Sequence, residues 1–134
     1  MLRAIAAVLA LAMGGDAIVQ LTAPSWWYGA VPGVIATGAF NAHFVRDVGA
    51  AYLVAAIGLA SFARAPETAR PAVAMSAAFL SLHAAIHIFD AACGTRPLQD
   101  VIRDAGGVYL PALVTLILAL APARAVPSKE LAPC

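Results

Sequence analysis

Four long apolar stretches, separated by short polar or turn-forming segments, divide this chain and leave it few ways to fold. A helix rises about 1.5 Å per residue, so roughly 20 apolar residues cover about 30 Å of hydrocarbon. The pattern predicts spanning helices over about 4–21, 41–63, 72–92 and 100–121, a single four-span domain over 1–134. The first is interrupted only by Asp16 and stops at Thr22-Ala23-Pro24-Ser25. The third follows Pro71, a residue suited to a first helical turn, and ends at Cys93-Gly94-Thr95-Arg96-Pro97. Pro111 lies inside the fourth and should bend it, its freed carbonyl satisfied by a neighbouring helix. The runs are several times strand length and about a quarter of the residues are Ala, so all four read as α-helices. The expected fold is an all-α integral membrane four-helix bundle with a long aromatic, Gly- and Pro-containing loop between helices 1 and 2.

Composition places such helices in a bilayer, because 63% of the residues are hydrophobic and only 11% charged. Eight Lys and Arg offset seven Asp and Glu to leave +1, which gives no basic excess for nucleic acid. Low charge with abundant apolar residues also excludes intrinsic disorder. Arg3 followed by Ala4 to Met13 has the charge and apolar length of a signal peptide, the alternative for this segment. Against that reading, the apolar pattern continues through Ala17-Ile18-Val19 with no clear small-x-small cleavage site.

An even number of crossings puts Arg3, Arg64, Arg70, Arg124 and Lys129 on one side, and Arg46, Arg96 and Arg103 toward the other. This five-to-three bias favours both termini inside, on the cytoplasmic face. Cys93 and Cys134 then face opposite sides and cannot form an intramolecular bridge. Small residues at four-residue spacing, such as Ala51-Ala55 and Ala77-Ser81, arise by chance at this Ala content.

The connection over 23–40 carries no charge. It holds Trp26-Trp27-Tyr28, residue types that settle at a membrane interface, followed by Gly29, Pro32, Gly33 and Gly38. This composition fits an interfacial or re-entrant segment that anchors the helix ends or lids a cavity between helices.

Ionisable residues inside spanning helices are expensive, and here they gather at one end. The second helix has His43 and Asp47 on one face with Arg46 beside them; the third has His83, His87 and Asp90, also on one face. At about 1.5 Å per residue, His43 and Asp90 lie within about 3 Å of the same surface, Asp47 and His87 at about 8 to 9 Å, and His83 near 13 Å. Asp16 reaches a similar depth, and Asp104 and Tyr109 approach from the fourth helix. The expectation is a polar pocket open toward the outer side, with Asp47 and His87 in contact or sharing a partner. A continuous ion path would need groups through the full thickness, and the other half is almost purely apolar.

Three readings of the cluster stand. In the first it is structural, with Arg46 neutralising Asp47 or Asp90 and the histidines fixing helix register. In the second His43, Asp47, His83, His87 and Asp90 hold a transition metal (zinc, copper or iron) or haem, since two His at i and i+4 reach one ion and a facing helix supplies a third. In the third, Arg46, Asp47, Asp16, Trp27 and Tyr28 bind a quinone, lipid headgroup or organic anion. Ser76 and Ser81 stand on no nucleophile elbow, and Gly14-Gly15 and Gly106-Gly107 lack the phosphate-loop spacing.

The run Trp27-Tyr28, Val31-Pro32-Gly33-Val34, Thr37-Gly38, Asn41, His43-Phe44-Val45-Arg46-Asp47-Val48-Gly49 resembles a block of small four-helix bacterial inner-membrane proteins without a settled activity. The Arg46-Asp47-x-Gly49 start of the second helix is similar to that of the DoxX-like group. The resemblance covers about 25 residues closely and implies four spans in a bacterial membrane, while His83-x-x-x-His87-x-x-Asp90 has no place in it. The sequence therefore reads as a membrane protein that binds a metal ion or small amphipathic ligand, or serves in a homo-oligomer or larger membrane complex. The alternative is a membrane oxidoreductase that uses the cluster as a metal or haem site.

Overall fold

The computed structural model describes residues 1–94 and 97–122. The described residues are helical, with no strand among them. Helix α1 spans Leu2–Thr22, α2 Pro24–Ala30, α3 Ala42–Arg64, α4 Arg70–Cys93, α5 Pro97–Asp104 and α6 Leu110–Leu120. A short 3₁₀ turn, Val34–Thr37, lies between α2 and α3. A π-helical turn, Ala105–Tyr109, joins α5 to α6 into one rod. That rod, α1, α3 and α4 are each long and apolar enough to cross a membrane, matching the four stretches expected to within three residues at either end.

Local chemistry sets the boundaries. Asn41 precedes α3 in an extended conformation, and its side chain accepts from the backbone N–H groups of His43 and Phe44. Pro24 and Pro71 fall in the first turns of α2 and α4, where a missing N–H costs no intrahelical bond, whereas Pro111, second in α6, lies inside the continuous rod. The fourth rod reconciles Pro111 with its neighbours in a way the expected bend did not specify. Pro111 has no N–H to give the carbonyls one turn back, and the backbone widens just before it, Leu110 N–H bonding Ala105 O.

The four rods run up and down in sequence order, α1 against α3, α3 against α4 and α4 against α6. Small residues bring the axes close. Gly49 of α3 lies against Gln20 and Ala17 of α1, and Gly58 lies against Ser76 and Ala72 of α4. A Cβ at Gly58 would sit 2.8 Å from the Ala72 carbonyl oxygen, so only glycine permits that crossing. The core between the rods is built from Met13, Leu59, Phe62, Val73, Leu80 and Leu118. Outward faces are apolar too, with Leu11 77% and Leu120 74% exposed.

Three arginines tie rod ends together. A helix leaves its last carbonyls without intrahelical donors and carries partial negative charge there. Arg3, at the start of α1, donates through Nε to Ala63 O at 2.8 Å and through Nη2 to Arg64 O at 2.8 Å, closing the end of α3. Arg46, in the second turn of α3, returns the favour to Leu21 O of α1 at 3.2 Å. Arg70, the first residue of α4, donates to Ala121 O beyond α6. The α1/α3 and α4/α6 pairs are thereby clasped at helix ends that would otherwise leave carbonyls bare.

The ring of rods is nearly open between α1 and α6, which touch only lightly. A groove of about 330 Å³ lies there, lined by Ala4, Ile5, Val8, Leu9, Leu110 and Val114. A second cavity of about 340 Å³ lies at the end of the bundle that holds Arg3 and Arg70.

Candidate functional site

At the opposite end, where α1 and α4 finish and α3 and α5 begin, the polar side chains form two networks. The larger joins α4 to α5. Asp104 closes α5 and is only 8% exposed, so its carboxylate needs donors. It has three. Arg103 gives Nε to Oδ1 at 2.7 Å and Nη2 to Oδ2 at 3.0 Å, and His87 of α4 approaches Oδ2 through Nδ1 at 2.7 Å. The remaining Arg103 Nη1 goes to Asp100 at 2.7 Å, one turn earlier. One guanidinium thus bridges two carboxylates in the forked geometry that makes Arg–carboxylate pairs strong.

The His87 contact fixes which ring nitrogen carries the proton in the neutral imidazole. A carboxylate only accepts, so Nδ1 carries the proton, and in the neutral imidazole Nε2 is left as an acceptor. Nε2 has no hydrogen-bond partner among the described residues, while the side chain is 26% exposed. His83, one turn below, packs its ring 4.7 Å from that of His87, edge to face, and also meets Tyr52 at 5.5 Å and Phe79 at 6.0 Å. Tyr109 sits in the π turn, its hydroxyl closed to solvent and without a partner.

The connection between α1 and α3 covers Arg103. Gly33 has φ of +88°, a left-handed conformation that glycine adopts without steric cost, and a Cβ there would lie 2.5 Å from Arg103 Nε. The loop backbone therefore rests on the guanidinium. Tyr28 holds the loop's shape by donating its hydroxyl to the Gly38 carbonyl and packing against Phe40, with ring centroids 5.2 Å apart.

The smaller network belongs to α1 and α2. Gln20 Nε2 and Trp27 Nε1 donate to the two oxygens of Asp16, each at 2.7 Å. Gln20 is fully buried, and its Oε1 has no partner. Trp27 is thus held inward by Asp16 while Trp26 stands 66% exposed.

Of the residues singled out in sequence, Asp16 and Trp27 meet, as do His83 and His87, but the expected sets do not assemble. Tyr28 serves the loop and Arg46 the end of α1. His43 and Asp47 pair with each other at 3.4 Å on an outward face, with side chains 87% and 63% exposed, and Asp90 is also exposed. The expected contact between Asp47 and His87 is replaced by His87 with Asp104. At about 100° per residue, Asp47 lies roughly opposite the Gly49 and Ala56 stripe that packs on α1; it shares the azimuth of Gly58, three turns on, where α3 meets α4, but at its own end of α3 it stands exposed, whereas His87 lies on the buried stripe of Leu80, Ala84 and Ala91.

Among the described residues no three His, Cys, Asp or Glu side chains gather closely enough to hold a metal ion. The set of His43, Asp47, His83, His87 and Asp90 is split between an outward pair, a ring stack and a lone carboxylate. Asp104, which residue counting had brought to this end, and Asp100 and Arg103, which the spacing argument left out of the cluster, supply most of the charge; their i, i+3, i+4 pattern was the available signal. The two cavities described above also lie away from this network, where a pocket at the polar end was expected. Set against known proteins, the chain matches no family model, no curated protein and no solved structure.

Proposed function

We propose that the chain is a four-crossing protein of a bacterial cytoplasmic membrane, with both termini inside, whose network near the outer face binds a small amphipathic ligand carrying a hydrogen-bond donor. Four apolar rods with apolar outward faces support insertion, and the five-to-three distribution of basic residues supports the orientation. The observation that carries the ligand reading is His87. Asp104 orients its ring from a nearly buried position, so in the neutral imidazole Nε2 is a preset acceptor with no partner among the described residues. The unpartnered hydroxyl of Tyr109 in the same half adds a donor. Leaving such a group unsatisfied costs about 1–3 kcal/mol, which a ligand with complementary groups recovers.

A short-chain quinol, apolar with two hydroxyl donors, is a suitable probe. In lipid nanodiscs it should raise the thermal midpoint of the wild type, and the shift should vanish in His87→Ala and shrink in Asp104→Asn. An equal shift in wild type and His87→Ala, or none in the wild type, would contradict the reading. It is a binding proposal, resting on the hydrogen-bonding groups of His87 and Tyr109.

A second reading, service as a subunit of a homo-oligomer or larger complex, draws on the outward His43 and Asp47. An ionised Asp47 turned to lipid costs several kcal/mol, and a partner that covers it removes that cost. Asp47→Leu should then dissociate the assembly on size-exclusion chromatography with light scattering.

A further inference from the structure

The two clasping arginines Arg3 and Arg70 line the same cavity, about 340 Å³, with Met1, Leu2, Phe62, Pro66, Glu67, Ala121 and Pro122. Both sit in the first turns of their helices, and neither α1 nor α4 has an acidic residue there. Their hydrogen bonds go to the backbone carbonyls of Ala63, Arg64 and Ala121. Among the described residues no carboxylate lies within ion-pair distance of either, including Glu67, which shares the cavity. Arg70 Nε is shut off from solvent and has no partner. Among the described residues, the charged side chains at this end are thus Arg3, Arg64 and Arg70 with Glu67.

The apolar groove begins at the next residues of α1. Ala4, Ile5, Val8 and Leu9 line it from one side, Leu110 and Val114 from the other, and nothing polar contributes. A basic cavity at a rod end followed by an apolar groove along the rods matches one chemistry, a phosphate diester with an acyl chain. On the membrane reading above, on which this inference rests, both lie where headgroup and chain of the inner leaflet would be.

We infer that this end of the bundle holds an anionic phospholipid, its phosphate on Arg3 and Arg70 and one acyl chain in the groove between α1 and α6. Arginine forks suit phosphate oxygens, and the phosphate would neutralise two cations that no carboxylate among the described residues pairs with. The carboxylate of Glu67 opposes binding and sets a limit on affinity.

The test uses the full chain in detergent micelles containing equal phosphatidylglycerol and phosphatidylcholine, with retained lipid counted by native mass spectrometry. The wild type should keep phosphatidylglycerol at least tenfold over phosphatidylcholine. Arg3→Gln with Arg70→Gln should abolish the preference. Glu67→Gln, which disturbs no helix-end contact, should raise retention several-fold, so the idea stays testable if the arginine variant does not fold. Val8→Trp should fill the groove and lower lipid retention. Equal retention of both lipids by the wild type, or a preference indifferent to Glu67→Gln and to Val8→Trp, would overturn the inference. Inorganic phosphate that binds as a discrete adduct and displaces the lipid at low millimolar concentration would also overturn it, since it would identify free phosphate as the occupant. Flotation with phosphatidylcholine vesicles separates the two levels: failure to float undermines the membrane reading, whereas floating without phosphatidylglycerol preference removes only the lipid site.

Discussion

Asp104 carries the candidate site because it is the nearly buried carboxylate to which everything else is tied, and its surroundings explain which single changes matter. Gly33 is one. Its left-handed backbone and its contact with Arg103 make two separate demands, so Gly33→Ala should cost about 1 kcal/mol for the backbone alone and push the guanidinium from its place. Thermal unfolding in detergent reads the cost, and a Gly33→Ala protein as stable as wild type would show that the loop does not rest on Arg103. Asp16 is another. It accepts from Gln20 and Trp27, bonds to a charged group worth roughly 1.5–3 kcal/mol each, and Asp16→Asn should lower stability by about 1–3 kcal/mol and shift the Trp27 emission. Unchanged stability and emission would place Trp27 elsewhere. Such pairings were only half legible in the sequence. Helical rise alone put Asp16, His87 and Asp104 at similar heights, but a pair also requires that both side chains face inward, and that depends on which stripe of each helix packs.

Elements show where that information was. The buried stripe of α3 runs through Val45, Gly49, Ala56 and Leu59, and its glycines touch α1 and α4. In a bundle whose rods are apolar all round, hydrophobicity does not mark the packing face, and small residues do so instead. Polar residues were taken as the inward face of α3, and that choice turned His43 and Asp47 the wrong way. The glycine contacts make a direct prediction. Gly58→Val would drive a branched side chain into Ser76 and the Ala72 carbonyl, and should destabilise the bundle by about 1–3 kcal/mol or more, whereas Ala78→Val on the exposed side of α4 should change little. Equal effects of the two substitutions in a denaturation series would mean that α3 and α4 do not cross at Gly58. The helix boundaries, by contrast, followed from prolines and Asn41, local signals that need no tertiary context.

For the whole molecule, four helices long and apolar enough to span a membrane were legible because stretches of about 20 apolar residues stand out by length and composition without any knowledge of packing. The gathering of polar side chains toward one end was legible for the same reason, as height along a rod follows from residue counting. What escaped was the basic cavity at the other end, since Arg3 and Arg70 are far apart in sequence and meet only when α1, α4 and α6 are assembled. Orientation gives a further prediction. Cys93 is exposed at the polar end, so a membrane-impermeant maleimide applied to intact spheroplasts should label it. Protection of Cys93 there, with labelling only after lysis, would put the polar end inside. The partner Cys134 of that comparison lies outside the described residues.

The pairing of α4 with α5 through His87 and Asp104 supports both the bundle geometry and the ligand proposal, and a double-mutant cycle measures it. His87→Gln, Asp104→Asn and the combination are compared with wild type for unfolding free energy in lipid nanodiscs, with Asp47→Asn and His87→Gln as a parallel cycle. Contact at 2.7 Å predicts a coupling above about 0.5 kcal/mol for His87 with Asp104 and near-additivity for His87 with Asp47. Additivity in the first cycle, or coupling in the second instead, would contradict the site as built.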